Sequence, residues 1–295
     1  MRRGTYSIVA RDPDTGELGA AVQSHWFSVG SVVTWARPGV GAVATQSVAE
    51  VAHGPNALER LAQGLDARGA IEAVLKEDEL AHVRQLGVVD AQGNAASHTG
   101  SGCIPYAGDE GGDGFACQAN IMETDTVPAA MATAYRGSDG DLAERLLAAL
   151  EAAEAEGGDL RGRQSAALLV VPPSGEAWRT RFDVRVEDHE APLGELRRLV
   201  RFARAYEMAG HADELLAQGK RDDATGLYVK AAELAPEADE LVFWAGVGVA
   251  AGVLDRGVEL VRRAVAVKSS WLALLERLPA ELEPMAPVLL AALQS

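Results

Sequence analysis

The sequence predicts an α+β fold in two parts, and three observations carry that reading. Up to about residue 190, runs of short strands are separated by runs of helices, the order expected of α+β rather than doubly wound α/β proteins. Several of these strands (GAVAT, LGVV, AALLVV) are apolar on both faces, so they need cover on both sides, as in a layered sandwich of sheets with outer helices. Beyond residue 190 the pattern becomes entirely helical. The chain of 295 residues is therefore divided into domains at 1–190 and 191–295, in keeping with about 150 residues per domain.

Thr5–Arg11 (TYSIVAR) is rich in strand formers, and Asp12-Pro13-Asp14-Thr15-Gly16 supplies a proline to fix φ and a glycine for positive φ. Leu18–Ser24 follows, so the two segments read as a hairpin. Val29–Trp35 and Val40–Gln46 read as two more strands around Pro38-Gly39. Asn56–Gln63 and Ala67–Leu75 have helical spacing. Gln85–Asp90 and Ala95–Thr99 form another hairpin around Gln92-Gly93-Asn94, and Phe115–Ile121 is a further strand. Between them, the acidic stretch Asp109–Gly114 reads as a solvated turn. Val127–Tyr135 and Asp141–Glu156 are predicted helices, and Ser165–Val171 and Trp178–Val186 are predicted closing strands.

In the helical part, Leu193–Met208 is amphipathic, with Leu196, Leu199, Val200 and Ala203 at helical spacing. Gly219, Ala224, Tyr228 and Ala231 recur 33 residues later as Gly252, Gly257, Val261 and Ala264. Small residues at these places let paired helices approach closely, and the period resembles the tetratricopeptide repeat of about 34 residues. Stacked hairpins of this kind leave a concave face, so 191–295 is expected to bind a protein partner or to self-associate into a homo-oligomer.

Composition excludes several classes. The net charge is −16, and the first 190 residues, with 28 acids and 15 bases, carry most of it. So acidic a front half makes a poor ligand for nucleic acid or anionic membrane surfaces, whose phosphates are bound by Lys and Arg. The strongly apolar uncharged run Leu241–Leu254 has 14 residues, against about 20 for a membrane span. Met1–Ala10 holds no apolar core for a signal peptide. Cys103 and Cys117 do not form a disulfide framework, and a cytoplasmic location fits. The six histidines show no metal-binding spacing and there is no phosphate-binding glycine motif, so no cofactor and no metal are expected.

The chemistry concentrates at the N-terminus. Gly4-Thr5 leads directly into a strand, as in hydrolases that use an N-terminal nucleophile. There a Thr, once freed, uses its own α-amine, of pKa about 8, as base for its hydroxyl. Met1-Arg2-Arg3-Gly4 would be the leader removed to expose Thr5. His25, His98, Asn120 and Gln164 all stand at or near strand ends, and they are the expected neighbours of Thr5. Asn120 is the candidate oxyanion donor. Gln46 and Ser47 are similar strand-end polar residues without acid–base power.

Thr5-Tyr6-Ser7-Ile8-Val9-Ala10-Arg11-Asp12, Gly16-Glu17-Leu18-Gly19 and Ala21-Val22-Gln23-Ser24 resemble the bacterial domain of unknown function 1028 family, grouped with the N-terminal-nucleophile (Ntn) hydrolases. The stretches 39–46, 85–90, 98–100, 112–120 and 162–167 extend the resemblance, which covers roughly residues 5–190. It implies a four-layer α/β/β/α Ntn-hydrolase-like sandwich and names no substrate. Family members often carry the Thr directly after the initiator Met; here Arg2, Arg3 and Gly4 intervene, so exposure requires a further cut. Many members have Lys where this chain has His25, a position placed to tune the amine. The resulting expectation is hydrolysis of a small-molecule or peptide amide through Thr5. The alternative is a catalytically silent fold that binds or assembles through its helical repeats.

Overall fold

The computed structural model describes residues 4–294; the expected leader residues Met1, Arg2 and Arg3 lie outside them. The chain divides into two compact units between Arg197 and Arg198.

The first unit contains two antiparallel sheets. Its strands are β1 (Thr5–Arg11), β2 (Leu18–Ser24), β3 (Thr34–Arg37), β4 (Gly41–Ser47), β5 (Arg84–Asp90), β6 (Ala95–Thr99), β7 (Gly108–Gly112), β8 (Phe115–Asn120), β9 (Ser165–Val171) and β10 (Phe182–Val186). One sheet has the order β10-β9-β2-β1-β8-β7 and the other the order β3-β4-β5-β6. The helices are α1 (Gly30–Val33), α2 (His53–Ala62), α3 (Ala67–Leu75), α4 (Val127–Gly137) and α5 (Leu142–Ala155).

Period-two alternation divides the apolar residues between the faces of each sheet. Val9, Ala20, Val22 and Leu169 of the larger sheet meet Ala42, Ala44 and Val89 of the smaller one in a core between the two. On the other face of the smaller sheet, Val43, Leu86 and Val88 pack under Ala57, Leu58, Ala70 and Ile71 of α2 and α3. α5 covers β1 and β2 on the outer face of the larger sheet, and α4 covers β7 and β8. α3 and α5 start at aspartates, Asp66 and Asp141, whose side chains accept from the backbone amides of Gly69 and Glu144.

Three elements differ from expectation. The segment read as one strand, Val29–Trp35, opens as the helical turn α1 before β3. Its backbone lies flush on β9, so close that a Cβ on Gly30 would stand 2.4 Å from that of Ala167, and this packing overrides the strand preference of its valines. The acidic stretch read as a turn forms β7, an edge strand. Pairing with β8 holds it despite poor strand formers, and its exposed Asp109 and Glu110 make the open edge a poor template for another chain. The last strand begins at Phe182 rather than Trp178, which is 77% exposed.

Helix α6 (Pro192–Ala217) contains the division between units. The second unit continues with α7 (Arg221–Leu234), α8 (Asp239–Ala250), α9 (Leu254–Val267), α10 (Ser270–Leu275) and α11 (Ala286–Gln294). α7 and α9 have equal length and begin 33 residues apart, the spacing of the sequence repeat. Close approach depends on glycine: a Cβ on Gly248 would stand 2.4 Å from the Tyr228 ring, and one on Gly257 would stand 2.6 Å from the Ala250 backbone nitrogen. Among the described residues no helix is long and apolar enough to cross a membrane.

Candidate functional site

The β1–β2 hairpin and the β1–β8 and β2–β9 pairs place four polar residues in one row across the larger sheet. Asn120 is opposite Thr5, Thr5 opposite Ser24, and Ser24 opposite Ser165. Cross-strand partners share a face, and this row belongs to the face that meets the smaller sheet. All four residues are fully buried. Thr5 opens β1 at the sheet end and is fully buried rather than open to a cleft.

The Thr5 hydroxyl donates to Ser24 Oγ at 3.1 Å, and Ser24 Oγ donates to the carbonyl oxygen of Gly4 at 2.5 Å. That same oxygen accepts from Arg161 Nη2 at 2.6 Å. The peptide carbonyl just before Thr5 is thus held by a hydroxyl and a guanidinium, while the Thr5 hydroxyl bonds to one of the two donors. Arg161 is fixed in turn by Asp159, through Nε at 3.1 Å and Nη2 at 2.8 Å. The Asp159 side chain is completely buried and also accepts from the backbone amides of Arg161 at 2.9 Å and His25 at 3.0 Å.

The smaller sheet supplies the opposite wall. Gln46 at the end of β4 donates to the Thr5 carbonyl at 3.3 Å and to Gln85 Oε1 at 2.8 Å. Asn120 Nδ2 donates to the same Gln85 oxygen at 2.8 Å and approaches the Thr5 carbonyl at 3.5 Å. Gln85 Nε2 reaches the carbonyl of Ala119 on β8 at 2.9 Å, so one side chain ties the two sheets together beside Thr5. Gln46 Oε1 and Asn120 Oδ1 are buried and have no hydrogen-bond partner. An unmatched buried acceptor costs about 1–3 kcal/mol, so the cluster retains two acceptors that an incoming N–H group would satisfy. Immediately beyond Gln46 and Asn120 the chain turns through positive φ, at Ser47 (69°) and Ile121 (58°). For the β-branched Ile121 this conformation is strained, and strain of this kind gathers at functional sites.

The expected neighbours of Thr5 separate into three groups. Asn120 touches it. His25 follows Ser24 and is joined to the cluster through its backbone amide, while its exposed ring donates from Nδ1 to the Arg163 carbonyl at 3.2 Å. His98 and Gln164 bond elsewhere. His98 pairs with Leu86, so it lies on the face of the smaller sheet under α3; there Nε2 donates to the Ala81 carbonyl at 3.0 Å and the ring lines a cavity with Arg68, Ile71 and Lys76. Gln85, one residue earlier than Leu86, points to the opposite face and reaches the cluster. Gln164 donates to Asp188 at 3.1 Å.

Ser24, Gln85, Asp159 and Arg161 were not among the sequence candidates. A signal existed for Ser24: a hairpin pairing Arg11 with Leu18 brings Thr5 opposite Ser24 by count alone. Asp159 and Arg161 come from a glycine-rich loop with no periodicity to read. On the reverse face, burial and the carboxylate of Glu154, 2.5 Å from its hydroxyl, push the Tyr6 pKa well above its ordinary value, so Tyr6 remains a neutral donor. Among the described residues no group of three or more His, Cys, Asp or Glu is placed to hold a metal ion.

The model of a family described as "Family of unknown function (DUF1028)" matches residues 5–196, which begin at Thr5 and span nearly the whole first unit. The chain belongs to this family. A crystal structure of a DUF1028 protein, SPO2555 from Silicibacter pomeroyi, is 32% identical, covers 68% of this chain and 89% of its own, and superposes with a TM-score of 0.62. Anbu (ancestral beta-subunit) from Yersinia bercovieri covers 65% of this chain and 92% of its own at 14% identity, with a TM-score of 0.32, too low for any inference to rest on it. No curated protein matches this DUF1028 chain.

Proposed function

We propose that this chain is an amide hydrolase of the N-terminal-nucleophile type, built on a four-layer α/β/β/α sandwich, with Thr5 as nucleophile after cleavage of the Gly4–Thr5 bond. One observation carries the reading: the Gly4 carbonyl oxygen is held by Ser24 Oγ at 2.5 Å and Arg161 Nη2 at 2.6 Å, and Thr5 Oγ1 bonds to the same Ser24 hydroxyl. Preorganised donors at the oxygen where charge develops are the largest single aid to acyl transfer.

The cleavage step balances within this set. Thr5 Oγ1 adds to the Gly4 carbonyl carbon, its proton passes to Ser24, and Ser24 passes its own proton to the carbonyl oxygen. The bond from Gly4 carbon to Thr5 nitrogen then breaks, the nitrogen takes the proton, and a Gly4 ester on Thr5 remains. Water hydrolyses that ester and leaves Thr5 with a free α-amine of ordinary pKa about 8. In turnover the amine takes the hydroxyl proton, Oγ1 adds to a substrate amide carbonyl, and the departing amine takes the proton back. Water releases the acyl group. Arg161 and Ser24, relieved of Gly4, serve the substrate oxygen, and Asn120 and Gln46 orient Thr5.

Intact-mass measurement of the purified protein tests this. The expected product begins at Thr5, and the Thr5→Ala variant keeps its full mass. A wild-type chain that retains Gly4 after prolonged incubation refutes the reading.

The helical unit, read as a tetratricopeptide-like region, we assign to assembly. Val253, Leu254, Val267 and Leu282 are large apolar residues exposed on it. Val267, 73% exposed, is the probe: light scattering should show Val267→Glu lowering the oligomeric state, and an unchanged mass removes self-association through that face.

A further inference from the structure

Resting on the hydrolase reading above, we infer that Asp159 sets the substrate class: it restricts the acyl side of the scissile bond to glycine, whose Cα carries no substituent. Thr5 Oγ1 attacks the same kind of carbonyl in its own chain and in a substrate, so the surroundings of Gly4 describe the space open to the acyl group. That space is closed on one side. A Cβ added to Gly4 would stand 2.6 Å from Asp159 Oδ1 and 2.9 Å from both Cγ and Oδ2. Carbon atoms do not approach that closely, so either the side chain or the carboxylate must move.

The carboxylate is not free to move. It is fully buried and accepts four hydrogen bonds: from the backbone amides of His25 at 3.0 Å and Arg161 at 2.9 Å, and from Arg161 Nε at 3.1 Å and Nη2 at 2.8 Å. Displacing it would also pull on Arg161, whose Nη2 holds the Gly4 oxygen at 2.6 Å. The exclusion of a side chain and the polarisation of the carbonyl therefore depend on one ion pair. A substituent at the acyl Cα costs steric strain and oxyanion alignment together, so selectivity falls on the rate of acyl transfer.

The experiment uses the full-length chain. Its first substrate is its own Gly4–Thr5 bond, followed over time by mass in the wild type and in Gly4→Ala. The processed wild type is then given the coumarin amides of N-acetylglycine and N-acetylalanine. We expect Gly4→Ala to be cleaved at least tenfold more slowly, the glycyl amide to be hydrolysed at least tenfold faster than the alanyl amide, and Asp159→Ala to narrow that ratio. Equal cleavage of Gly4→Ala, or equal hydrolysis of the two amides, overturns the inference and leaves the hydrolase reading intact. A wild-type chain that neither loses its leader nor hydrolyses either amide overturns both. If the chain is processed but hydrolyses neither amide, the Gly4→Ala rate decides. Should that variant fold poorly, the ratio of the two amides on the wild type decides alone.

Discussion

Thr5 and Ser24 face each other across the first hairpin, and the Ser24 hydroxyl accepts from Thr5 Oγ1 at 3.1 Å while donating to the Gly4 carbonyl at 2.5 Å. One hydroxyl thus touches both ends of the proposed bond-forming step. In Ser24→Ala we expect cleavage at Gly4–Thr5 to slow by about 10²–10³, the loss found when one oxyanion donor is removed. A mass time course reads it, and a rate within threefold of wild type would exclude Ser24 from the step.

Arg161 has two tasks, to polarise the Gly4 carbonyl and to neutralise the buried Asp159 carboxylate. Arg161→Gln should therefore slow cleavage and destabilise the fold together. Breaking a buried pair from one side costs about 3–5 kcal/mol. Here Asp159 keeps two backbone donors, so about 1–3 kcal/mol is expected, and chemical denaturation measures it. Full stability with slow cleavage would mean that Asp159 finds another partner.

Asp78 joins α2 to β5. The Arg84 guanidinium and the His53 ring, each at 2.7 Å, hold its carboxyl well below the ordinary carboxylate range. A carboxylate whose pKa is depressed in the folded state stabilises it fully above the unfolded value of about 4, and that contribution is lost as pH falls through the folded value. Thermal melts should therefore separate wild type from Asp78→Asn at pH 7, and the difference should narrow progressively as pH falls below about 4 toward the depressed folded value. A difference that persists unchanged in acid would locate the effect in packing rather than charge.

Two glycines of the helical unit make opposite predictions. A Cβ at Gly248 would strike the Tyr228 ring at 2.4 Å, so Gly248→Ala should destabilise by about 1–3 kcal/mol. Gly226 lies within α7, and a Cβ there would meet nothing within 4 Å, so Gly226→Ala should stabilise by about 0.5–1 kcal/mol through helix propensity. Calorimetry of both variants tests the pair, and a Gly226→Ala that melts below wild type would show that the site is less open than its surroundings indicate.

Strand residues were legible where pattern and turn chemistry agreed. Both strands of the first hairpin and β9 fall at the predicted residues because the turn before Leu18 and the apolar run of Ser165–Val171 leave one reading. The face a side chain takes was not legible. His98 and Thr99 are adjacent, yet Thr99 reaches Gln85 and His98 points away under α3, a choice set by which face of the β5–β6 hairpin meets the larger sheet. α1 was misread because its valines prefer strands and only contact with β9 says otherwise. Thr5 and Asn120 could be named from chemistry and position. Asp159 and Arg161 could not, since what makes them matter is a carbonyl at the other end of the domain's chain.

The Gln85 side chain, bonded to Gln46, Asn120 and the Ala119 carbonyl, also makes the cluster a record of chain order. Thr5 is the first of these residues to leave a ribosome and Arg161 the last, with strands β2 to β8 between them. No partial product has the set, so under the proposed cleavage the Gly4–Thr5 bond would be protected during synthesis simply by the absence of its partners. Scission would then date the moment when the two sheets close on each other, and an uncut chain would mark a molecule that had not finished folding.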